Sequence, residues 1–378
     1  MTQRIREGPP WQSMTAFSED HSIGPLAPFD SPESMMTNLQ QRLASSAVLL
    51  ACLVVLVFLD LQIAGPAMAG VWLLPALLFF AFGTTHDVTS LLRAGGTSVS
   101  RRACMTAVGL VTLSPCAVML WPIMGMTYPA DCPIGAAGWP AVAGVGAAFL
   151  VIASEMFAYG RNPEGSMPEE SNSPLDRIFV GCFVSLYVGI PLAMLVLIRR
   201  LNLETNPTWG LCALLSMIAT TKSADAGAYF AGKAFGRHKL IPRLSPGKTW
   251  EGAAGGLITA TIVAALCFQF LSPENPIPGN GQGELAEQTV DNLTGSDASI
   301  SEPETDQGAP WWGCFVFGPV MMLAGLLGDL AESLIKRESA AKDSGNWLPG
   351  LGGVWDVSDS LLATAMPAFI LLSSGIAG

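Results

Sequence analysis

The sequence predicts an all-α integral membrane protein, a polytopic bundle of about nine transmembrane helices. Three observations carry this. Half of the 378 residues are hydrophobic, only 13% are charged and the mean hydropathy is +0.44, whereas soluble domains carry about 25% charged residues. Apolar runs recur along the chain at close to the roughly 20 residues a helix needs to cross about 30 Å of hydrocarbon. Strict alternation for a barrel is absent, and backbone groups in lipid must be satisfied within the segment, which leaves helices.

In chain order the runs fall at 44–64, 67–84, 104–126, 138–159, 178–198, 207–227, 252–271, 311–330 and 357–377. Gly65-Pro66 separates the first two, and polar residues follow the apolar half of 207–227. Residues 1–43 are polar and mixed in charge and are expected to form a flexible cytoplasmic tail. The first run starts too far from Met1 for a cleaved signal peptide, so it reads as a retained span. Residues 272–310 hold eight acidic residues, no Lys or Arg, and many Pro, Gly and Ser. They cannot bury enough apolar surface to pack and are expected to be a disordered extracytoplasmic insert. This one loop supplies most of the net charge of −11, which argues against a nucleic-acid partner.

Loop charges set the expected orientation. The loops at 84–103 (Arg93, Arg101, Arg102), 228–251 (Lys233, Arg237, Lys239, Arg243, Lys248) and 331–356 (Lys336, Arg337, Lys342) are basic, while 127–139 and 272–310 have no Lys or Arg. With the N-terminus inside and nine spans, each basic loop is cytoplasmic. Arg199 and Arg200 break this pattern by falling in an outer loop. The division that follows is a transmembrane region at 44–200 and a C-terminal transmembrane region at 201–378, which holds the two most charged loops.

Eight cysteines occur without a CxxC pair, seven of them inside apolar runs, and His21, His86 and His238 do not cluster. The cysteines read as core packing, with Cys132 in a polar loop set apart, and zinc has no support.

Charge gathers in two loops on the same face. In GDLAESLIKR (328–337), Asp329, Glu332, Ser333, Lys336 and Arg337 share one helical face. Snorkelling cations at a helix end would explain the pair of bases, but an acid at the end of an apolar run is expensive and points to a partner or cavity. Beyond the turn NWLPGLGG, Asp356 and Asp359 open the last span three residues apart. Helix capping alone would explain two acids at that position. Together with Asp329 and Lys342-Asp343 they instead suit a metal–phosphate site, in which acids hold Mg²⁺ and bases neutralise phosphate oxygens. The glycines at 350, 352 and 353 suit a turn whose amides face an anion. The loop SADAGAYFAGKAFGRHKLIPRLSPGKTWEG (223–252) repeats the pattern: Asp225 ends an apolar segment, five bases follow, and Glu251 starts the next helix.

These two blocks carry a resemblance. SLIKRESAAKDSGNWLPGLGGVWDVSD resembles the signature of the phosphatidate cytidylyltransferases, or CDP-diacylglycerol synthases. Ser333, Lys336, Arg337, Lys342, Asp343, Pro349, Gly350, Gly352, Gly353, Asp356 and Asp359 are in register with it. Upstream, Asp225, Ala228, Tyr229, Gly232, Lys233, Ser245, Pro246, Lys248, Thr249, Glu251 and Gly252 match the family's second block. The resemblance covers roughly the C-terminal 150 residues. Two positions depart from it, Leu351 where the family often has His and Val357 where it often has Arg.

The resemblance implies an integral-membrane nucleotidyltransferase of phospholipid biosynthesis that joins CTP to phosphatidate, with Mg²⁺ and room for a second metal ion. It implies Asp329, Asp356, Asp359 and Asp225 as metal ligands. Lys336, Arg337, Lys342 and Asp343 would be catalytic, and Ser245, Lys248, Thr249, Lys233, Gly352 and Gly353 would bind substrate. The expected partners are CTP, phosphatidate and the bilayer, with a homodimer left open. The expected location is the bacterial inner membrane, with the site cytoplasmic. A CTP-dependent kinase of a polyprenol or similar lipid alcohol would share this chemistry. An ion-coupled transporter would instead place its ionisable residues near mid-span.

Overall fold

The structure, a computed structural model, describes residues 32–129, 131–161, 173–203, 205–271, 311–341 and 343–376. Its α-helices are α1 (Pro32–Gln62), α2 (Leu74–Ala94), α3 (Arg101–Leu113), α4 (Leu120–Ile123), α5 (Trp139–Arg161), α6 (Pro174–Arg199), α7 (Trp209–Phe235), α8 (Trp250–Leu271), α9 (Cys314–Glu338) and α10 (Trp355–Ser373). A 3-10 segment at Ser114–Met119 joins α3 to the single turn of α4. Among the described residues, eight segments are long and apolar enough to cross a membrane. The ninth long helix, α7, has 27 residues but carries Lys222, Asp225 and Lys233. The chain is an all-α, multi-pass membrane protein. The acidic insert 272–310 and residues 1–31 of the tail lie outside the described residues.

Three boundaries differ from the apolar runs. Helix α1 begins at Pro32, inside the stretch expected to be a flexible tail. The run at 67–84 opens as two 3-10 turns, Pro66–Met68 and Val71–Leu73, and its helix continues to Ala94. Polar residues sustain that extension because they are buried in the protein rather than facing lipid: Thr84, Thr85, Asp87 and Thr89 are all inaccessible. Helix α9 likewise runs past residue 330 to Glu338. Apolar composition marks where a helix meets hydrocarbon, and the extensions of α2 and α9 meet other parts of the protein instead.

Local signals explain several starts. Ser173-Pro174 opens α6 with a reciprocal capping box: the Asp176 amide donates to Ser173 Oγ and the Ser173 amide donates to the Asp176 carboxylate, both at 3.2 Å. Thr249 ends the only regular sheet among the described residues, an antiparallel hairpin of β1 (Lys239–Ile241) and β2 (Ser245–Thr249). Its hydroxyl then accepts the Gly252 amide at 3.1 Å in the first turn of α8. This hairpin is an addition to the helical reading, and Ser245-Pro246 opens its second strand.

The core runs through the middle of the bundle, where Val88 of α2, Val188 and Ile198 of α6, Met217 of α7, Phe317 and Met321 of α9 and Trp355 of α10 are buried together. Ala107, Val111, Ala147 and Val151 form a second cluster between α3 and α5. Helices α7 and α8 lie close along their length, and a Cβ at Gly255 would collide with Ala231, the small-residue contact expected between helices in lipid. By contrast α1 turns Leu43, Val48, Leu50, Val54 and Phe58 outward, the surface a bilayer covers.

Candidate active site

Five pieces of chain meet at one end of the bundle: the end of α7, the hairpin, the end of α9, the turn 339–354 and the start of α10. The hairpin brings Lys248 to α9, where its Nζ lies 2.9 Å from Asp329 Oδ2. About two helical turns on, Lys336 Nζ lies 3.1 Å from Glu332 Oε1 and 2.9 Å from Asp356 Oδ1, tying α9 to α10. Asp359 is buried, with its carboxyl against those of Asp329 and Glu332. Four carboxyl groups thus face two ammonium groups, a surplus of acid that a cation or protons must balance at this depth.

Two cavities share Lys248 and Asp329 in their walls. One, of about 320 Å³, is polar and is walled also by Glu332, Lys336, Asp343, Asp356 and Asp359. The other, of about 400 Å³, lies between α7, α8 and α9 and is walled largely by Ala228, Tyr229, Leu240, Ala253, Met322 and Leu326, with Asp225 and Lys233 at its polar parts. A charged chamber beside an apolar one can receive a molecule with a phosphate head and a greasy body.

The sequence-selected residues divide. Asp329, Asp343, Asp356, Asp359, Lys336 and Lys248 line the charged cavity. Asp225, Lys233, Lys248 and Thr249 line the apolar one, where Lys233 Nζ stands 5.8 Å from the centre of the Tyr229 ring. Lys342 lies outside the described residues. Arg337 is exposed and Ser245 sits in the strand; neither lines either cavity. Glu251 accepts the amides of Arg237 and His238 at 3.1 and 3.2 Å and so closes the loop before the hairpin.

The turn corrects one expectation. Gly350 and Gly352 have positive φ values of 77° and 95°, which glycine adopts without a Cβ penalty. Two of the three amides expected to face an anion are already used: Gly353 N–H donates to Asp356 Oδ2 at 2.7 Å and Gly352 N–H to Leu348 O at 3.0 Å. Asp356 also accepts the Ser344 amide at 3.2 Å. Its carboxylate therefore holds the turn and Lys336 together. Of the two departures, Leu351 puts an isobutyl group in the wall of the charged cavity, and the Val357 carbonyl accepts Lys222 Nζ at 3.0 Å.

Sequence reading missed four groups here. Glu332 was placed on the right helical face without being given a role. Lys222 donates to Ser360 Oγ at 2.7 Å, and Ser360 Oγ donates to Asp225 Oδ2 at 3.1 Å, which links α7 to α10. Asp87 of α2 is buried and its Oδ2 accepts the Trp355 amide at 3.2 Å. Asp87 carried less signal than Asp329, since it falls just past the apolar run at 67–84 and only the structure continues that helix to Ala94.

Three relatives set this geometry in context. Phosphatidate cytidylyltransferase of Haemophilus influenzae is 41% identical over 182 residues, 48% of this chain and 52% of that one. The Mycobacterium tuberculosis H37Rv protein of the same name is 30% identical over 296 residues, 76% of this chain and 71% of that one. The Brucella suis protein is 34% identical over 187 residues, 47% of this chain. The chain thus spans about half the length of the Haemophilus and Brucella relatives, and more of the mycobacterial one. The family model described as "Cytidylyltransferase family" matches residues 40–374, a range that takes in both cavities and every helix that walls them, and the chain belongs to that family.

Proposed function

We propose that this protein is a phosphatidate cytidylyltransferase, which converts CTP and phosphatidate to CDP-diacylglycerol and diphosphate. The observation that carries the reading is the pairing of a charged cavity with an apolar one across Lys248 and Asp329. The relatives' names agree with it.

In this reading the phosphate oxygen of the lipid attacks the α-phosphorus of CTP. The new P–O bond forms as the bond from that phosphorus to the β-bridging oxygen breaks, and diphosphate leaves with the electron pair. Such a transfer needs positioning and charge neutralisation, not a covalent nucleophile. Lys248, between the two chambers, is placed to bind the lipid phosphate, and Lys336 to bind the oxygens of the nucleotide. The apolar chamber takes the glycerol and upper acyl portions, so the reacting oxygen is delivered at the membrane surface.

The donor set fits Mg²⁺, a hard ion that takes one or two carboxylates and completes its shell with water and phosphate oxygens. Among the described residues no group of three or more His, Cys, Asp or Glu side chains is arranged to hold a metal ion by itself, so water and phosphate oxygens would have to complete the shell. Asp329 and Asp359 are the groups that would hold it, with Asp225 and Asp356 as further ligands. When bound there, it would neutralise charge on the phosphates. The positive-inside pattern supports placing this end at the cytoplasmic face of an inner membrane, where CTP is available.

Purified protein in detergent, given Mg²⁺, labelled CTP and phosphatidate, is expected to yield a CDP-lipid and diphosphate in equal amounts. Release of CDP with phosphate transferred to a lipid alcohol would instead establish a lipid kinase. No turnover with either acceptor would overturn the enzyme reading.

A further inference from the structure

We propose that Asp87 of α2 is a positioning residue for the reaction: it holds the first turn of α10, and through it the Asp356–Asp359 pair, in register with α9. The proposal rests on the function given above for its catalytic consequence, and on the geometry alone for the contact.

The start of α10 needs an external partner. Its N-cap residue is Val354, which has no side chain able to accept a hydrogen bond, so the first amides of the helix lack a local cap. Asp87 supplies one from 268 residues away: Oδ2 accepts the Trp355 N–H at 3.2 Å, and the Val354 amide is within reach of the same carboxyl. A carboxylate at a helix N-terminus is also favoured by the helix dipole.

The fit around it is close. A Cβ on Gly345 would strike Asp87 Oδ1, and one on Gly353 would come within 2.5 Å of Oδ2. The turn that carries Asp343 and Ser344 is therefore wrapped directly on the carboxyl. Neighbouring positions of α2 make the same junction. Thr84 Oγ1 lies 2.9 Å from Ser358 Oγ, and Gly83 leaves room only for Val354. The His86 ring stands 5.0 Å from that of Trp347 in the turn. His86 Nδ1 is 3.6 Å from Asp87 Oδ1, an oxygen that makes no hydrogen bond among the described residues.

Asp87 lines neither cavity, so it acts through the turn and does not touch substrate. What it controls is where Asp356 and Asp359 stand relative to Asp329, Glu332 and Lys336. A shift on the order of 1 Å in such a constellation costs about 10²-fold in rate.

The test uses the full chain in detergent with two readouts, amide hydrogen exchange over residues 346–360 and steady-state kinetics with CTP. Asp87→Ala is expected to speed exchange at Val354 and Trp355 at least about tenfold and to lower kcat about 10²-fold, with KM for CTP within about twofold. Asp87→Asn, which retains an acceptor oxygen, is expected to restore protection and most of the rate. If Asp87→Ala does not fold, Gly345→Ala disturbs the same contact from the other side and is expected to give the same two changes. Parental exchange at 354–355 in the folded Ala variant would overturn the proposal. So would faster exchange spread evenly over α2, α6 and α10 with kcat per folded molecule unchanged. A parent protein that makes no CDP-lipid would defeat the proposed function, while the exchange readout would still decide the contact.

Discussion

The two ends of this bundle both bury charge, and they treat it differently. At the end away from the cavities, Asp60 of α1 and Arg199 of α6 are buried together, with Nε 2.8 Å from Oδ2. Asp60 Oδ1 accepts the Gly70 amide at 2.8 Å, and Arg199 Nη1 donates to Pro207 O at 3.1 Å. One acid meets one base, the remaining groups find backbone partners, and Asp60 and Arg199 line neither of the two cavities described above. At the cavity end, four carboxyls face two lysines across open volume. Position in the bundle is not what separates the two, because Glu155 and Arg177 also close a neat 2.8 Å pair elsewhere in the structure. In a membrane chain, buried charge that is balanced serves architecture, and buried charge left unbalanced beside a cavity awaits a ligand.

The contrast can be broken from either side. The largest effect is expected from Asp359→Asn, which removes a central carboxylate: CDP-lipid formation should fall on the order of 10³-fold while the protein elutes and melts as the parent. Asp60→Ala should do the opposite, costing about 3 kcal/mol in thermal or denaturant unfolding, with specific activity of the folded fraction close to parental. Asp60→Leu combined with Arg199→Met should recover most of that stability, because a buried pair replaced by apolar groups is often near neutral. Lys336→Met should lower kcat about 10²-fold, as it removes the cation shared by Glu332 and Asp356. Arg337→Ala should change turnover by less than about threefold, since the side chain is exposed and off both cavities. Equal losses at 336 and 337 would show that the helix end binds nucleotide as a diffuse basic patch.

Arg199 shows what sequence reading could and could not do. Loop counting placed it on the wrong side for a membrane cation, and that anomaly was visible. Its resolution was not, because the neutralising Asp60 lies 139 residues upstream. Long separation in sequence also hid Asp87, whose partner amide at Trp355 is 268 residues on, and Lys222, whose partners at 357 and 360 are 135 and 138 residues on. Asp329, Lys336, Asp356 and Asp359 were legible because their spacing puts them on helix ends on either side of one turn. The glycine turn was legible as a turn, but the spending of the Gly352 and Gly353 amides on Leu348 and Asp356 was not.

Helices from the N-terminal half of the chain reach the C-terminal turn. Ser45 of α1 donates to Pro349 O at 2.7 Å, and Thr84 and Asp87 of α2 hold the start of α10. The early helices are part of the scaffold of the turn.

By itself the sequence determined the solvent, the helical class, the approximate spans and the acids and bases that gather at one end. These follow from hydropathy and from periodicities of three or four residues, which are local. Only the tertiary structure decided which charges cancel and which stay open to a ligand. It also decided why α2 continues through polar residues, and which acid serves the turn instead of the cavity. Several of those outcomes depend on pairs separated by more than a hundred residues, and all of them on energies set by burial and by the geometry of the partner.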